Sequence, residues 1–288
     1  MHPTSRFRPL SRRGFVSGIA CVAAPALLIP KIVRASNPPN ILDLRDLLDA
    51  RYGVGLWTQR TGTGVGTDIG PAICDGLTTL KSQFFGGKIF IPPGIWLLNT
   101  PIPASLLSGS IIYGLHSQAS IIVFNNAGNA AFSFNGSGGA TGGGMHGLGI
   151  LLESGLGNTN SYAILLSGDT VRQQDQTEWR DLYITAWGGS SYWWDAFHID
   201  GTARSHPQGV RVGTMDNVQL FNCRNLPCYI GNAVQWTLSN VGAYTSIGPY
   251  GNTIMIGGGT THLYGTGINA TLNMGSTLDV MINGIRYS

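Results

Sequence analysis

Charged side chains are scarce in this sequence. Asp, Glu, Lys and Arg make up 11% of the 288 residues, and no lysine follows Lys88. A mainly helical protein with an ion-paired surface needs many charged residues, so this composition argues against that class. Glycine, by contrast, is abundant, with 42 residues. Because glycine adopts the backbone conformations of tight turns, we expect many short extended segments joined by turns.

The part of the chain that we expect to fold also lacks an excess of basic charge. Six of the 17 basic residues precede Ser36, where no acidic residue occurs, which leaves 11 basic and 14 acidic residues and a net charge of −3. The formal charge of +3 for the whole chain therefore comes from its N-terminus. No basic surface for nucleic acid is indicated, and we expect no nucleic-acid partner.

Long apolar runs are missing as well. The run from Ile19 to Ile29 is interrupted by Pro25 and is shorter than the roughly 20 apolar residues that a membrane-spanning helix needs, so no stable membrane anchor is expected. The preceding Ser11-Arg12-Arg13-Gly14-Phe15-Val16 matches the twin-arginine export pattern. We therefore predict a twin-arginine signal peptide over residues 1–35 and a periplasmic or secreted location.

Cysteine is rare, with four residues, of which Cys74, Cys223 and Cys228 follow the predicted signal peptide. An odd number leaves at least one thiol outside any intramolecular disulfide. Cys223 and Cys228 either bridge each other or lie in the core as small apolar residues. Their spacing is not joined by a second His or Cys pair, so we predict no metal site and no cofactor.

The most informative motif lies at residues 86–98, Gly-Gly-Lys-Ile-Phe-Ile-Pro-Pro-Gly-Ile-Trp-Leu-Leu. It predicts two short strands separated by a turn at Pro92-Pro93-Gly94. Upstream, residues 62–74 form a glycine-rich stretch that leads into a short predicted helix, with Asp68 as its capping residue. Together these segments resemble the N-terminal part of the pectate lyase-like superfamily, whose members fold as right-handed parallel β-helices.

A repeat of short strands follows this motif. The same apolar alternation occurs in segments 145–150, 179–184 and 215–220. A second short strand is predicted after each of them, at 162–166, 196–199 and 228–230 respectively. Repeated strand pairs of this kind predict stacked coils, because one coil alone cannot bury its inward face. We predict an all-β, single-stranded right-handed parallel β-helix with a short N-terminal helical cap. Residues 36–108 would form the cap and first coil, and residues 109–288 the remaining coils.

The alternation also predicts which side chains face inward and which align between coils. In register, His198 should lie beside Tyr229, and Asp181 beside Asn217. Longer insertions at about residues 167–178, 186–195 and 201–214 should lie on one side of the coils and wall a groove. The predicted inward set is Leu182, Ile184, Phe197, Ile199, Val218 and Leu220, and the outward set is Asp181, Tyr183, His198, Asp200, Asn217 and Gln219.

The resemblance implies action on polysaccharides, since the superfamily includes polygalacturonases, pectate lyases and phage tailspike depolymerases. It is specific over about residues 53–98 and depends on the repeat alone from 109 onward. The polygalacturonase signatures, namely Asn-Thr-Asp, paired Asp-Asp, Gly-His-Gly and Arg-Ile-Lys, are absent. The catalytic mechanism of the polygalacturonases is therefore not transferred to this chain.

An aromatic cluster is the candidate glycan-binding surface. Broad aromatic rings cover the apolar faces of sugars while their polar edges stay hydrated. The alternative is that some of these rings cap the hydrophobic stack under a loop, and adjacent Trp193 and Trp194 cannot both face inward on one strand. The predicted substrate-binding residues are Trp187, Tyr192, Trp193, Trp194, Arg204 and Arg211.

The catalytic candidates surround the same cluster. A glycoside hydrolase needs two carboxyl groups about 5 to 9.5 Å apart, for which Asp195 and Asp200 are the first pair to consider. A lyase instead needs a base, such as His198 or His206, and an arginine such as Arg180, Arg204 or Arg211 to stabilise developing negative charge. The predicted catalytic set is Asp195, Asp200, His198, Glu178 and Asp181.

These observations lead to two functional hypotheses. The first is an exported β-helix enzyme that cleaves a polysaccharide as a hydrolase or a lyase, with the polysaccharide as its partner. The second, suggested by the missing signatures and the few acidic residues, is a noncatalytic glycan-binding or surface-structural β-helix. Because the sequence shows no polar helix to cover the last coil, we also expect either a short C-terminal cover or a homo-oligomer.

Overall fold

The computed structural model describes residues 40–84, 86–135, 142–157, 160–167, 177–187, 190–200, 212–231, 235–257, 262–273, 279–282 and 285–287. The predicted signal peptide lies outside the described residues, as do Arg204, His206 and Arg211 and most of the predicted insertions. Within the described ranges no helix is long and apolar enough to cross a membrane.

Three helices and eighteen strands make up this part of the chain. The helices are α1 (Leu44–Tyr52), α2 (Gly70–Phe84) and α3 (Ala104–Leu107). The strands are β1 (Ile41–Asp43), β2 (Lys88–Ile91), β3 (Gly94–Leu98), β4 (Ile111–Gly114), β5 (Ser120–Phe124), β6 (Ala130–Asn135), β7 (Gly143–Leu152), β8 (Tyr162–Ser167), β9 (Thr177–Ala186), β10 (Trp193–Asp200), β11 (Gly213–Phe221), β12 (Cys223–Gly231), β13 (Gln235–Tyr244), β14 (Thr253–Ile256), β15 (His262–Thr266), β16 (Thr271–Asn273), β17 (Asp279–Ile282) and β18 (Ile285–Tyr287).

The N-terminal helices pack beside the first strands. The predicted strand pair is confirmed as β2 and β3, and the short helix predicted before it is α2, which has 15 residues. Asp68 Oδ1 accepts the Gly70 N–H at 3.0 Å and the Asn99 N–H at 2.9 Å, so one carboxylate caps α2 and fastens it to the end of β3. Ile73, Leu77 and Leu80 lie on the buried face of α2, as their helical spacing requires.

The strands form two sheets by pairing with equivalent strands one coil away. The order in the first sheet is β1-β2-β4-β7-β9-β11-β13-β15-β17-β18, with β3 and β5 paired beside β7. The order in the second sheet is β16-β14-β12-β10-β8-β6. The pairs are parallel except that of β17 with β18. This connectivity is consistent with the predicted parallel β-helix, while its right-handedness stays a prediction.

The predicted inward residues form the core. Leu182, Ile184, Phe197, Ile199, Val218 and Leu220 are all at most 1% exposed. Trp179 lies between Phe134 and Phe197, with ring centroids 4.9 Å apart on each side and the rings nearly perpendicular. Burying a large apolar side chain stabilises the fold by roughly 1.5–3 kcal/mol relative to exposure. Packing of these inward side chains therefore stabilises the stack of coils.

A ladder of residues with positive φ marks a shift in the inward phase of strands in the first sheet. Asp181, Asn217 and Asn240 have φ values of 51°, 53° and 50° and follow one another in register. Asn217 Nδ2 donates to Asp181 Oδ1 at 2.7 Å, and Asn240 Nδ2 donates to Asn217 Oδ1 at 3.0 Å. Asn and Asp tolerate this conformation best among residues with a side chain. The predicted neighbourhood of Asp181 and Asn217 is confirmed.

The cysteines do not form a disulfide. Cys74, Cys223 and Cys228 are all free thiols, and the last two are fully buried. Burial raises the pKa of both buried thiols far above its ordinary value, because the thiolate would lose its hydration. Of the two alternatives, packing in the core as small apolar residues is the correct one.

Candidate functional site

Asp195 is the buried anchor of the candidate site. It lies in β10 in the same phase as inward-facing Phe197 and is 1% exposed. Its Oδ1 accepts hydrogen bonds from Asn225 Nδ2 at 2.8 Å and from the Leu226 N–H at 2.9 Å. Its Oδ2 lies 2.7 Å from Nδ1 of His198. These three partners satisfy a carboxylate that would be costly to bury alone.

His198 faces outward from the same strand. Because a carboxylate can only accept, this contact assigns the tautomer in which Nδ1 of His198 bears the hydrogen and donates a hydrogen bond to Asp195. The side chain is 20% exposed, and Nε2 is the ring nitrogen left for a further partner. The imidazole lies between Tyr162 and Tyr229, with ring centroids 5.1 Å and 4.8 Å away. The predicted register of His198 with Tyr229 is confirmed.

This geometry suits proton transfer at Nε2. A carboxylate that holds Nδ1–H fixes the tautomer and stabilises the imidazolium that forms when Nε2 accepts a proton. Asp195 thus has a positioning role. Its burial also argues against the predicted pairing of Asp195 with Asp200 as two exposed carboxyls flanking a glycosidic bond, because Asp195 presents almost no surface to a ligand. The side chain of Asp200 lies outside the described residues.

The two other predicted acids lie elsewhere. Glu178 and Asp181 are on β9 in the first sheet, whereas Asp195 and His198 are on β10 in the second. Asp181 accepts the hydrogen bond from Asn217 in the ladder, which is a structural contact. The structure therefore divides the predicted catalytic set into separate groups.

The predicted aromatic cluster is also divided. Trp193 is fully buried, stacks on Phe124 at 6.0 Å and donates its indole N–H to the Thr185 carbonyl at 2.7 Å. Its prediction as a substrate-binding residue is not supported, because a ring inside the core cannot cover a sugar. Trp194 and Tyr192 are half-buried and stay candidates. The alternation of β10 explains the difference between the two adjacent tryptophans.

Trp187 belongs to a contact that the sequence analysis missed. It is 37% exposed, and the guanidinium carbon of Arg60 lies 4.5 Å from its ring centroid. Arg60 also forms two bonds to the fully buried Glu153, Nε to Oε2 at 2.7 Å and Nη2 to Oε1 at 2.8 Å. Because Arg60 and Glu153 are far apart in sequence, no local spacing could have revealed this ion pair.

The Glu153 carboxylate remains ionised in this environment. Burial alone would raise its pKa, but the bonds from Arg60 and from the N–H groups of Ser154 and Gly64 outweigh that effect and hold the pKa below its usual range. Every oxygen of Glu153 is thus engaged in fastening residues 60–64 to the sheet. We assign it a structural role.

Comparisons with known proteins show no family for this chain. No family model matches it, and no curated protein matches it. Among solved structures, the chain is similar to a protein titled ORF18 of Geobacillus virus E2, with a TM-score of 0.34 and 12% sequence identity over 84% of this chain. The matched part spans 61% of the length of that viral protein.

Proposed function

We propose that this protein is exported, binds a uronate-containing polysaccharide on the outer surface of the second sheet and cleaves it as a lyase. The observation that carries the proposal is the bond of 2.7 Å between buried Asp195 and outward-facing His198. The imidazole of His198 is held at Nδ1, and its Nε2 can act as a general base. Asp195 is too deeply buried to reach a glycosidic oxygen as a general acid. This favours the lyase over the hydrolase among the two predicted reactions.

In this reaction His198 Nε2 removes the proton from the carbon next to the uronate carboxylate. The electron pair of that C–H bond forms a C=C bond as the glycosidic C–O bond breaks, and the departing oxygen takes a proton from solvent. The developing charge on the uronate needs a cation. Arg204 and Arg211, which lie outside the described residues, are our candidates for that role. Tyr162 and Tyr229 flank the ring at which the proton moves.

A panel of uronate polysaccharides tests the proposal. The wild-type protein should release products with the ultraviolet absorbance of a conjugated C=C bond. His198→Ala should lower kcat by about 10²–10⁴-fold, the usual contribution of a general base. Asp195→Asn should also lower kcat, whereas His116→Ala, which changes an exposed histidine in a turn, should not.

Two outcomes would contradict the lyase proposal. The first is release of reducing ends without any unsaturated product, which would indicate hydrolysis. The second is full activity of His198→Ala in a correctly folded variant. Retention in polysaccharide-containing gels without turnover would instead support the noncatalytic glycan-binding hypothesis. The half-buried, neighbouring rings of Tyr162, His198 and Tyr229 favour that hypothesis. It predicts that Tyr229→Ala abolishes retention.

A further inference from the structure

A second group of titratable side chains lies on the outer surface of the first sheet. His146 on β7 and Arg180 on β9 are directly paired in the parallel register, and Glu178 lies two residues before Arg180. Nε2 of His146 is 3.5 Å from Oε2 of Glu178, and Nη2 of Arg180 is 3.5 Å from Oε1. Each carboxylate oxygen of Glu178 therefore faces a different nitrogen group. We call these three residues the first-sheet cluster.

The contacts within the first-sheet cluster are loose. Charge-assisted hydrogen bonds normally measure about 2.7–2.9 Å, as the bonds of Arg60 to Glu153 do. The cluster contacts are longer than this, and the side chains of Glu178 and Arg180 are 46% and 53% exposed. Glu153 fastens two parts of the chain together, whereas Glu178 has no comparable structural contact among the described residues. Its carboxylate is accessible to a ligand.

His146 adds an unsatisfied polar atom. Its Nε2 is buried and has no hydrogen-bond partner among the described residues. Burial lowers the pKa of His146, and Arg180 and Lys88 lower it further, although Glu178 opposes the shift. The imidazole is therefore neutral near pH 7, and the cluster carries one negative and one positive charge. Because Nε2 is covered and faces Oε2 of Glu178, the groups of the cluster that a ligand can reach are the exposed side chains of Glu178 and Arg180.

The residue of β7 that is paired with Glu178 is a glycine. Gly144 pairs with Ile111 on one side and Glu178 on the other, so no side chain projects between them. A Cβ at position 144 would lie 1.8 Å from the carbonyl oxygen of Glu178, which excludes any other residue there. Tyr113 pairs directly with His146, and its ring centroid is 5.2 Å from that of Phe90. An aromatic pair therefore borders the polar groups.

We propose that the first-sheet cluster is a second saccharide-binding site, which takes a neutral, hydroxyl-rich sugar residue. Glu178 accepts a hydrogen bond from one sugar hydroxyl, and Arg180 donates to the neighbouring hydroxyl. The half-buried ring of Tyr113 covers the apolar face of the sugar. A uronate is disfavoured, because Glu178 would face a like charge. The choice of a saccharide rests on the proposed function, whereas the location and the neutral preference rest on this cluster.

Electrophoresis of the full-length protein through gels that contain a neutral polysaccharide tests this proposal, with soluble glucan, galactan and mannan as separate probes. Glu178→Gln and Arg180→Ala should each weaken retention about tenfold or more, since a hydrogen bond to a charged group contributes about 1.5–3 kcal/mol. His198→Ala and the surface control Ser239→Ala should be retained like the wild type. Thermal unfolding of each variant checks that it folds.

The outcomes separate this site from the proposed lyase site. Loss of neutral-glycan retention in Glu178→Gln, with unchanged uronate cleavage, supports a distinct second site. The proposal is overturned if none of the three neutral polysaccharides retards the wild type, or if Glu178→Gln and Arg180→Ala are retained normally. It is also overturned if His198→Ala alone removes retention. Failure of the lyase proposal has a different signature, the absence of unsaturated products from every uronate polysaccharide.

Discussion

Glu153, Asp195 and Glu178 are three carboxylates in three different environments. Glu153 is fully buried and bonded by Arg60, and Asp195 is 1% exposed and bonded by His198, Asn225 and Leu226. Glu178 is 46% exposed and has only contacts of 3.5 Å. Because burial demands complete hydrogen bonding, the first two carboxylates fasten other groups in place. Only the third has the access that direct ligand binding requires.

At the residue scale, Arg60→Met should destabilise the protein strongly. The substitution leaves the buried carboxylate of Glu153 without its charged partner, which typically costs about 3–5 kcal/mol. It also removes the guanidinium from the ring of Trp187. Urea denaturation should show a lower midpoint, whereas Arg51→Met, which breaks an exposed ion pair with Asp75, should leave the midpoint nearly unchanged.

The difference in stability between the wild type and Arg60→Met depends on pH. The pKa of Glu153 is depressed in the folded state, so its stabilising contribution is fully present above the unfolded pKa of about 4.3 and is lost as the pH falls through the lower folded pKa. The difference in stability between the wild type and Arg60→Met should therefore be largest near neutral pH and shrink below about pH 4. A difference that stays constant into the acid range would contradict the assigned role of this ion pair.

At the scale of strands, the positive-φ ladder marks where the inward phase of β9, β11 and β13 shifts, because two outward residues stand there between consecutive buried ones. Each strand continues on both sides of its ladder residue, and the side chains of Asp181, Asn217 and Asn240 bond from coil to coil. Gly147 has a φ of 62° at the corresponding position of β7. The phase shift therefore occurs at residues that tolerate a left-handed backbone.

Substitution of Asn217 tests the ladder. Asn217→Ala should lower the free energy of unfolding by about 1–2 kcal/mol, because alanine strains the left-handed backbone and both amide bonds are lost. Asn217→Gly should be less destabilising, since glycine removes the strain while losing the same bonds. The two variants can be compared by urea denaturation with an unchanged slope. Equal losses in the two variants would show that backbone conformation contributes little at this position.

At the scale of the whole molecule, the described coils need the contacts between neighbours for stability. No single coil can enclose its own inward face. Trp179 packs on Phe197 within its own coil and on Phe134 of an earlier coil, and Phe197 packs on Trp236 of a later coil. The same stacking lines up outward residues and produces two separate candidate surfaces, one around His198 and one at the first-sheet cluster. The proposed export would place both surfaces where extracellular polysaccharides occur.

Export is testable independently of activity. The double variant Arg12→Lys and Arg13→Lys should remain in the cytoplasm, because the twin-arginine pair is the element that the export machinery reads. Cell fractionation with immunodetection measures the distribution. The matched double variant Arg6→Lys and Arg8→Lys, which leaves the pair intact, should be exported like the wild type. Export of the first variant at the wild-type level would contradict the predicted signal.

The parallel coil architecture of the described residues follows from local patterns in the chain. The apolar alternation in segments 179–184 and 215–220 identified inward side chains. The register of segments 196–199 and 228–230 placed His198 beside Tyr229. The same alternation, continued back from Phe197, also implies that Trp193 and Asp195 face inward, which conflicts with the predictions of Trp193 as a substrate-binding residue and of Asp195 as a catalytic one. Local periodicity carries this information because side chains alternate regardless of what surrounds the strand.

The polar contacts of the two candidate surfaces and of Glu153, in contrast, follow from the fold and not from local patterns. The bonds of Asp195 to Asn225 and of Arg60 to Glu153 and the contact of His146 with Glu178 join residues from different coils. The bond of Asp195 to His198 joins an inward residue to an outward residue three positions away in β10. Such contacts depend on stacking order and on side-chain packing, which local periodicity does not contain. The physical reason is that hydrophobic burial determines which side chains of each strand face inward. The partners of the polar side chains depend instead on which strands the fold places side by side.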